Sequence, residues 1–330
     1  MTRINQPTEL DQAIRESLNR ARNILVTTHI RPDGDAIGSA LGLGLALQEK
    51  NKPTEIVVED GVPSSFKHLR GWEQIRKKPE TKPDLVVSVD CSDLGRLGSR
   101  LVDQYTVDIN IDHHITNLNF GRLNLVDTNA VATAEVLARH LPMWGFPISP
   151  AVASALLTGI ITDTLGFRTN NMTPDALRLA AELMEAGANL HELYHYGLVS
   201  QSYAAVKIWG SGFGRLQRQG RIIWTSITPA DRVAVQYPGR DDADMINVLS
   251  AIDDKDIVVV FNDQGNGHVK VSWRAGSGID ITPLAMQYGG GGHPAAAGAD
   301  IEGSLADVEA KVLQSTRQYL KQIEEQNNGK

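Results

Sequence analysis

An imidazole and two carboxylates fall within seven residues of the segment HIRPDGDAIGSA, as His29, Asp33 and Asp35. Three more segments add groups of the same kind. Asp90 closes DLVVSVD, Asp112, His113 and His114 close TVDINIDHH, and Asp163 lies within GIITDTLGF. Taken singly, each has an ordinary structural use: Asp33-Gly34-Asp35 can form a turn and cap a helix, Asp90 and Asp163 can act as caps, and paired histidines occur on surfaces and in hydrogen-bonded cores. Gathered in one place, the same groups repel unless they are solvated or neutralised. Divalent cations are the economical resolution, because imidazole with carboxylate suits Mn, Fe, Co, Zn or Mg. The absence of cysteine thiolates argues against a structural zinc site.

The elements around these residues must bring them together. NILVTTH, TEIVVED, DLVVSVD and TVDINIDHH are short β-branched runs separated by helical periodicity, the first helix starting at about Ala36. Such runs predict a parallel sheet covered on both faces, and three of them, NILVTTH, DLVVSVD and TVDINIDHH, end in the candidate residues named above. Ligands of open α/β sheets bind beyond those strand ends. Helices are expected at about 131–141, 150–161, 173–187 and 201–214, with Pro174 in a first turn after Thr173. Then come a strand RIIWTSI, an acidic stretch DDADMINVLSAIDD, paired strands DIVVVFND and GHVKVSWRA joined through QGNG, and a last helix opening at Ser304. The N-terminal MTRINQPTELDQAIRES reads as a surface helix and the tail EEQNNGK as frayed.

The expected fold class is α/β. An N-terminal domain over 1–188 has a parallel sheet with helices on both faces, a helical linker spans 189–215, and a smaller mixed-sheet α/β domain covers 216–330. The active site is expected in the cleft between the two domains. Two domains also suit a length of 330 residues. No apolar run approaches the ~20 residues of a membrane span, and no signal peptide is visible. The single cysteine, Cys91, excludes an internal disulfide framework, so a cytoplasmic location is expected.

A net charge of −7, shared by both halves, leaves no basic stripe for long nucleic acid. Any bound nucleic acid should be short, and no long-duplex or membrane partner is expected. No serine or cysteine nucleophile motif is present. In the second domain the run GGGGH, with Gly290, Gly291, Gly292 and His293, can bring backbone amides close to an anion. Arg274, ending a predicted strand, is either a surface charge or a fork onto phosphate, and Arg168 is a further cation of the first domain.

In chain order, HIRPDGDAIGS, VSVDCSDLGRLG, NIDHHITN and GIITDTLGFRTNNMTP resemble the motifs of the DHH phosphoesterase family. SWRAGSGIDITPLAMQYGGGGHPAAAGA resembles its DHHA1 C-terminal domain. The likeness runs from about Asn23 to Ala299 and is strongest to the stand-alone oligoribonuclease and 3'-phosphoadenosine 5'-phosphate (PAP) phosphatase branch. The resemblance implies one ion held by His29, Asp33 and Asp90 and a second by Asp35, Asp90, His113 and Asp163, so that Asp90 bridges and Asp33 and Asp35 each face one cation. It makes Asp112 an orienting carboxylate and turns His114 toward the scissile phosphate. The implied cofactors are two divalent ions, Mn2+ ahead of Mg2+ or Co2+, roughly 3.5–4 Å apart, which activate water for in-line displacement. TDTLGF departs from the family in carrying Leu165 where glycine is usual, which concerns loop shape and substrate fit.

The implied function is hydrolysis of short oligoribonucleotides to mononucleotides and of PAP to AMP. Linear or cyclic dinucleotides such as pApA and cyclic di-AMP are the alternative substrates, and a non-catalytic nucleotide-binding protein is the reading from another class. A family II pyrophosphatase shares the first four motifs, but GGGGH argues against its different C-terminal domain. The sequence shows no clear oligomer interface, and a homodimer is compatible with it.

Overall fold

Each of the four β-branched runs supplies a strand of one sheet: β1 (Ile24–Thr27), β2 (Thr54–Val57), β3 (Leu85–Val89) and β4 (Ile109–Asp112). A fifth strand, β5 (Leu123–Val126), was not expected, and the order is β2-β1-β3-β4-β5 with every pairing parallel. The structure, a computed structural model, describes residues 7–276 and 278–328. Residues 1–6 of the expected N-terminal helix and residues 329–330 of the tail lie outside the described residues.

Alternate strand residues face opposite ways, and both faces are apolar, so both must be covered. Ile24, Val26, Val87, Val89, Ile109 and Ile111 enter a large core with α1 (Glu9–Arg20), α2 (Gly34–Glu49), α4 (Thr133–Trp144), α5 (Pro150–Asp163) and α6 (Pro174–Glu185). Leu25, Val57 and Val86 face a smaller core with Cys91, Leu97 and Leu101 on the segment leading into α3 (Ser99–Val102). Ser149 caps α5 and Thr173 caps α6, each followed by a proline that suits the first turn.

The packing of α2 on α5 sets the distance between two site aspartates, Asp35 and Asp163, which lie on these helices. Gly34, Gly38 and Gly42 recur every four residues and form one stripe along α2. A Cβ on Gly38 would stand 2.4 Å from the Ala155 carbonyl oxygen and 2.9 Å from the Gly159 nitrogen, so backbone lies against backbone. Gly38→Ala should therefore lower stability by about 1–3 kcal/mol through overpacking, although alanine alone favours the helix by ~1 kcal/mol. The denaturant midpoint measures this; an unchanged or higher midpoint would mean the helices can separate at no cost.

The first unit ends at Ser200 and the second begins at Gln201. The expected linker is thus shared: α7 (Leu190–Tyr194) belongs to the first unit and α8 (Tyr203–Phe213) to the second. The second unit continues with β6 (Gln217–Gln219), β7 (Ile222–Ile227), α9 (Pro229–Val235), α10 (Met245–Leu249), β8 (Ile257–Asp263) and β9 (His268–Ala275). It closes with α11 (Thr282–Met286), β10 (Gly291–His293), β11 (Ala296–Glu302) and α12 (Leu305–Asn328). Its sheet runs β10-β11-β9-β8-β7-β6, mixed because β7 and β8 alone are parallel. Ile257, Val259 and Phe261 of β8 pack with α11 and α12 on one face, and Val258 and Val260 with α8 and α10 on the other. The tail expected to fray continues α12 as far as Asn328. Among the described residues no helix is long and apolar enough to cross a membrane.

Candidate active site

His29 and Asp33 lie in the connection from β1 to α2, Asp35 in the first turn of α2, Asp90 directly after β3, and Asp112, His113 and His114 at the end of β4. Asp163 ends helix α5, two residues beyond the helix expected at 150–161. The same stretch of chain is the negative end of the helix dipole, which favours a cation beside it. Leu165, two residues on, adopts φ +49°, a left-handed conformation that glycine takes without strain and leucine at a cost of roughly 1–2 kcal/mol.

The donors form two trios, His29 with Asp33 and Asp90, and Asp35 with His113 and Asp163, the ligand atoms within each lying no more than 4.8 Å apart. His29 Nε2 is 3.5 Å from Asp90 Oδ2 and 3.9 Å from Asp33 Oδ2. His113 Nε2 is 3.6 Å from Asp163 Oδ2, 3.8 Å from Asp90 Oδ1 and 3.9 Å from Asp35 Oδ2. These separations are long for hydrogen bonds. Two donors each ~2.1 Å from a common ion and ~110° apart lie about 3.4 Å from one another, close to what is observed. The ring nitrogens agree. Nδ1 of His29 donates to the Ile30 carbonyl at 2.8 Å and Nδ1 of His113 to the Ala130 carbonyl at 3.3 Å, which turns both Nε2 atoms toward the carboxylates. The residues present fit two divalent cations, with the two oxygens of Asp90 directed at different trios.

Electrostatics point the same way. Burial first, then the charges of Asp90, Asp163 and Asp33, push the Asp35 carboxyl well above its usual pKa. Burial also leads for Asp163, which is raised to about 7 with Asp33 and Asp90 contributing. Asp90 goes the other way: burial opposes its ionisation, but His29 beside it and the other histidines around it hold it far below the usual carboxylate range. Its backbone sits at φ +54°, a strained conformation of the kind that collects at functional sites. Asp33 combines the two uses weighed from sequence. Its Oδ1 caps α2 by accepting from the Asp35 and Ala36 amides, while Oδ2 faces His29.

Asp112 and His114 form a separate pair. His114 Nδ1 lies 2.8 Å from Asp112 Oδ1, and the Asn117 amide donates to Asp112 Oδ2 at 2.5 Å. Burial works against the imidazolium, but the Asp112 bond and the charges of Asp90, Asp112 and Asp163 outweigh it and push the His114 pKa up to about 9. Cys91 is fully buried with its thiol pushed up to about 12, so it is a core residue.

Sequence reading missed Asn117 and the start of α4. Thr133 N and Ala134 N donate to the two oxygens of Asp35 at 2.6 and 3.0 Å, and the Thr133 hydroxyl donates to Asp90 Oδ1 at 2.9 Å. The usual signal of such a helix start is a capping side chain, but the N-cap here is Ala132, which makes no side-chain bond. The cap comes from a distant aspartate.

Arg168 stays exposed in the loop after α5, its Nε donating to the Leu165 carbonyl at 2.9 Å. In the second unit the glycine run is not an open loop. Gly291–His293 is strand β10, paired antiparallel with β11, and a Cβ would stand 2.1 Å from the Gly298 oxygen at Gly290 and 2.4 Å from the Ala296 oxygen at Gly292. Close strand approach therefore explains these two glycines, whereas Gly291 has open space beside it. His293, Ala296 and Arg274 are register partners across β10, β11 and β9, which puts His293 and Arg274 in one row about 10 Å apart. The Arg274 guanidinium donates to Asn247 Oδ1 and to the Trp273 carbonyl, both at 3.1 Å, in the field of Asp242 and Asp244.

Fold and site together define a class: two α/β units, the first carrying a carboxylate and imidazole cluster suited to paired divalent cations. The chain belongs to the DHH family: residues 23–160 match the DHH family N-terminal domain and residues 233–322 the DHHA1 domain. It is 33% identical over 309 residues, 90% of each chain, to the bifunctional oligoribonuclease and PAP phosphatase NrnA of Thermus thermophilus. An exopolyphosphatase-related protein of Bacteroides fragilis shares the fold with a TM-score of 0.84, at 23% identity over 95% of this chain and 96% of that one. RecJ of Thermus thermophilus in complex with Mn2+ has a TM-score of 0.55 at 14% identity, covering 96% of this chain and 56% of RecJ.

Proposed function

We propose that this chain is a metal-dependent phosphoesterase that hydrolyses short oligoribonucleotides to mononucleotides and PAP to AMP. The observation that carries the reading is the pair of donor trios, with Asp90 of the first 3.8 Å from His113 of the second, in a chain one-third identical to an enzyme of that name. His29, Asp33 and Asp90 hold one ion, and Asp35, Asp90, His113 and Asp163 the other. When bound, such ions supply a water acidified toward neutral pH and neutralise charge on the phosphoryl group. Manganese is the proposed metal and the cytoplasm the proposed location.

The chain's own groups do the rest. Asp112, held by Asn117, fixes the His114 ring through Nδ1, and its hydrogen bond favours the protonated imidazole. Its Nε2 proton is then available to the leaving oxygen. Arg168 and, in the second unit, Arg274, Gly291 and His293 are the groups assigned to the substrate's other phosphate or sugar.

The deciding experiment measures nucleotide release with Mn2+ and with chelator across RNA ladders from two nucleotides upward, with PAP and cyclic di-AMP alongside. Chelator-sensitive release from the shortest RNAs and from PAP is expected; turnover of cyclic di-AMP alone would favour the alternative. His114→Ala should keep its metals and lose about 10²–10⁴-fold in turnover, the usual worth of a positioned acid. Elemental analysis showing metal loss as large as in His113→Ala would mean the roles of the two histidines are wrongly divided.

A further inference from the structure

The hydroxyl of Thr133 serves no part of its own helix. Thr133 is the first residue of α4, and its side chain turns toward Asp90 Oδ1 at 2.9 Å, across 43 residues of sequence. Asp112 Oδ1 is also near, at 3.5 Å, but it already accepts from the His113 amide and from His114 Nδ1, both at 2.8 Å. The one hydroxyl proton therefore goes to Asp90.

That bond has a geometric effect. Rotation about the Cβ–Cγ bond of an aspartate is soft, so a carboxylate has no intrinsic preference that would aim its two oxygens at two different places. In the observed orientation Oδ2 of Asp90 faces His29 at 3.5 Å and Oδ1 faces His113 at 3.8 Å. Thr133 is itself anchored, because its backbone nitrogen donates to Asp35 Oδ2 at 2.6 Å. One residue thus ties together a carboxylate of the second trio and the carboxylate of the first that also faces the second.

We infer that Thr133 is a positioning residue that fixes Asp90 in its bridging orientation and thereby couples the two metal sites. The inference rests on the dinuclear reading above.

The test uses the full-length protein, stripped of metal and titrated with Mn2+, with calorimetric binding isotherms and the electron paramagnetic resonance spectrum as readouts. Wild type should bind two ions and give the exchange-coupled spectrum of a bridged pair. Thr133→Ser keeps the hydroxyl and should do the same. Thr133→Val keeps the shape, loses the hydroxyl, and should weaken the second binding step by about 10–100-fold, the usual effect of removing a group that orients a ligand, with loss of exchange coupling. If the valine variant does not fold, Thr133→Ala is read against the same expectation. Wild-type affinity and coupling in the valine or alanine variant would overturn the role of Thr133. So would a serine variant as defective as valine, because packing of the methyl group would then be the cause. A wild type that binds one ion, or two without coupling, would instead overturn the dinuclear reading itself.

Discussion

Asp90→Asn is expected to give a folded protein with at least a thousandfold less metal-dependent hydrolysis. Asparagine is nearly the same size and is among the residues that best accept the left-handed backbone at this position, φ +54°. The substitution therefore leaves the strand end in place and removes only the negative charge, together with one of the two acceptor oxygens. The first trio loses one of its own ligands, and the second loses the carboxylate that faces it through His113. If that weakens neutralisation of charge in the transition state by ~4 kcal/mol, turnover falls about a thousandfold. Circular dichroism establishes the fold, elemental analysis the metal content, and the RNA ladder the rate. A variant with near-normal turnover would remove Asp90 from the chemistry.

Without metal, the protein should melt at progressively lower temperature as pH rises from 5 to 9. The sign follows from each group in turn. Asp163, raised to about 7, binds its proton more tightly folded than unfolded, so stability falls as pH climbs from the ordinary carboxylate range through 7. Asp35 is raised and acts in the same direction. His114, raised to about 9, contributes stability that is complete below its unfolded pKa and is lost through 9. Asp90, shifted downward, loses its contribution only under acid conditions and does not oppose the trend in this window. Manganese should reverse the slope, because ions compete with protons for the same donors. At a hundredfold excess over Kd each ion stabilises by ~2.7 kcal/mol, and two shift the melting temperature by roughly 10 °C or more. Melting curves in chelator and in Mn2+ decide the matter. A chelated protein that became more stable toward pH 9 would contradict the buried repulsion on which the site model depends.

The strands and most donors were legible because their signals are local. Val, Ile and Leu runs ending in His or Asp announce a parallel sheet and its functional edge, and Ser149-Pro150 and Thr173-Pro174 announce helix starts. What was hidden depends on distant partners. The helix before Asp163 was legible, but not that it runs two residues further and carries the aspartate at its end. Thr133 acts on residues 98 and 43 positions earlier, and no local pattern marks such contacts. β10 is mostly glycine, with no strand propensity of its own; it exists because Ala296–Glu302 pairs with it. β5 is a half-buried edge strand of four residues, LNLV, too short a run to stand out from a loop.

The donors of the second trio run from Asp35 to Asp163, and the segment between them contains four of the five strands of a parallel sheet. Parallel pairing is non-local and closes late, so no early fragment of the chain presents the complete ligand set. If the site takes two ions, Mn2+ is expected to slow unfolding and to leave the folding rate almost unchanged, which stopped-flow unfolding and refolding with metal and with chelator measures. On the dinuclear reading, metal would give this protein kinetic persistence, because carboxylates that repel one another without it would have to lose their ions before the fold came apart.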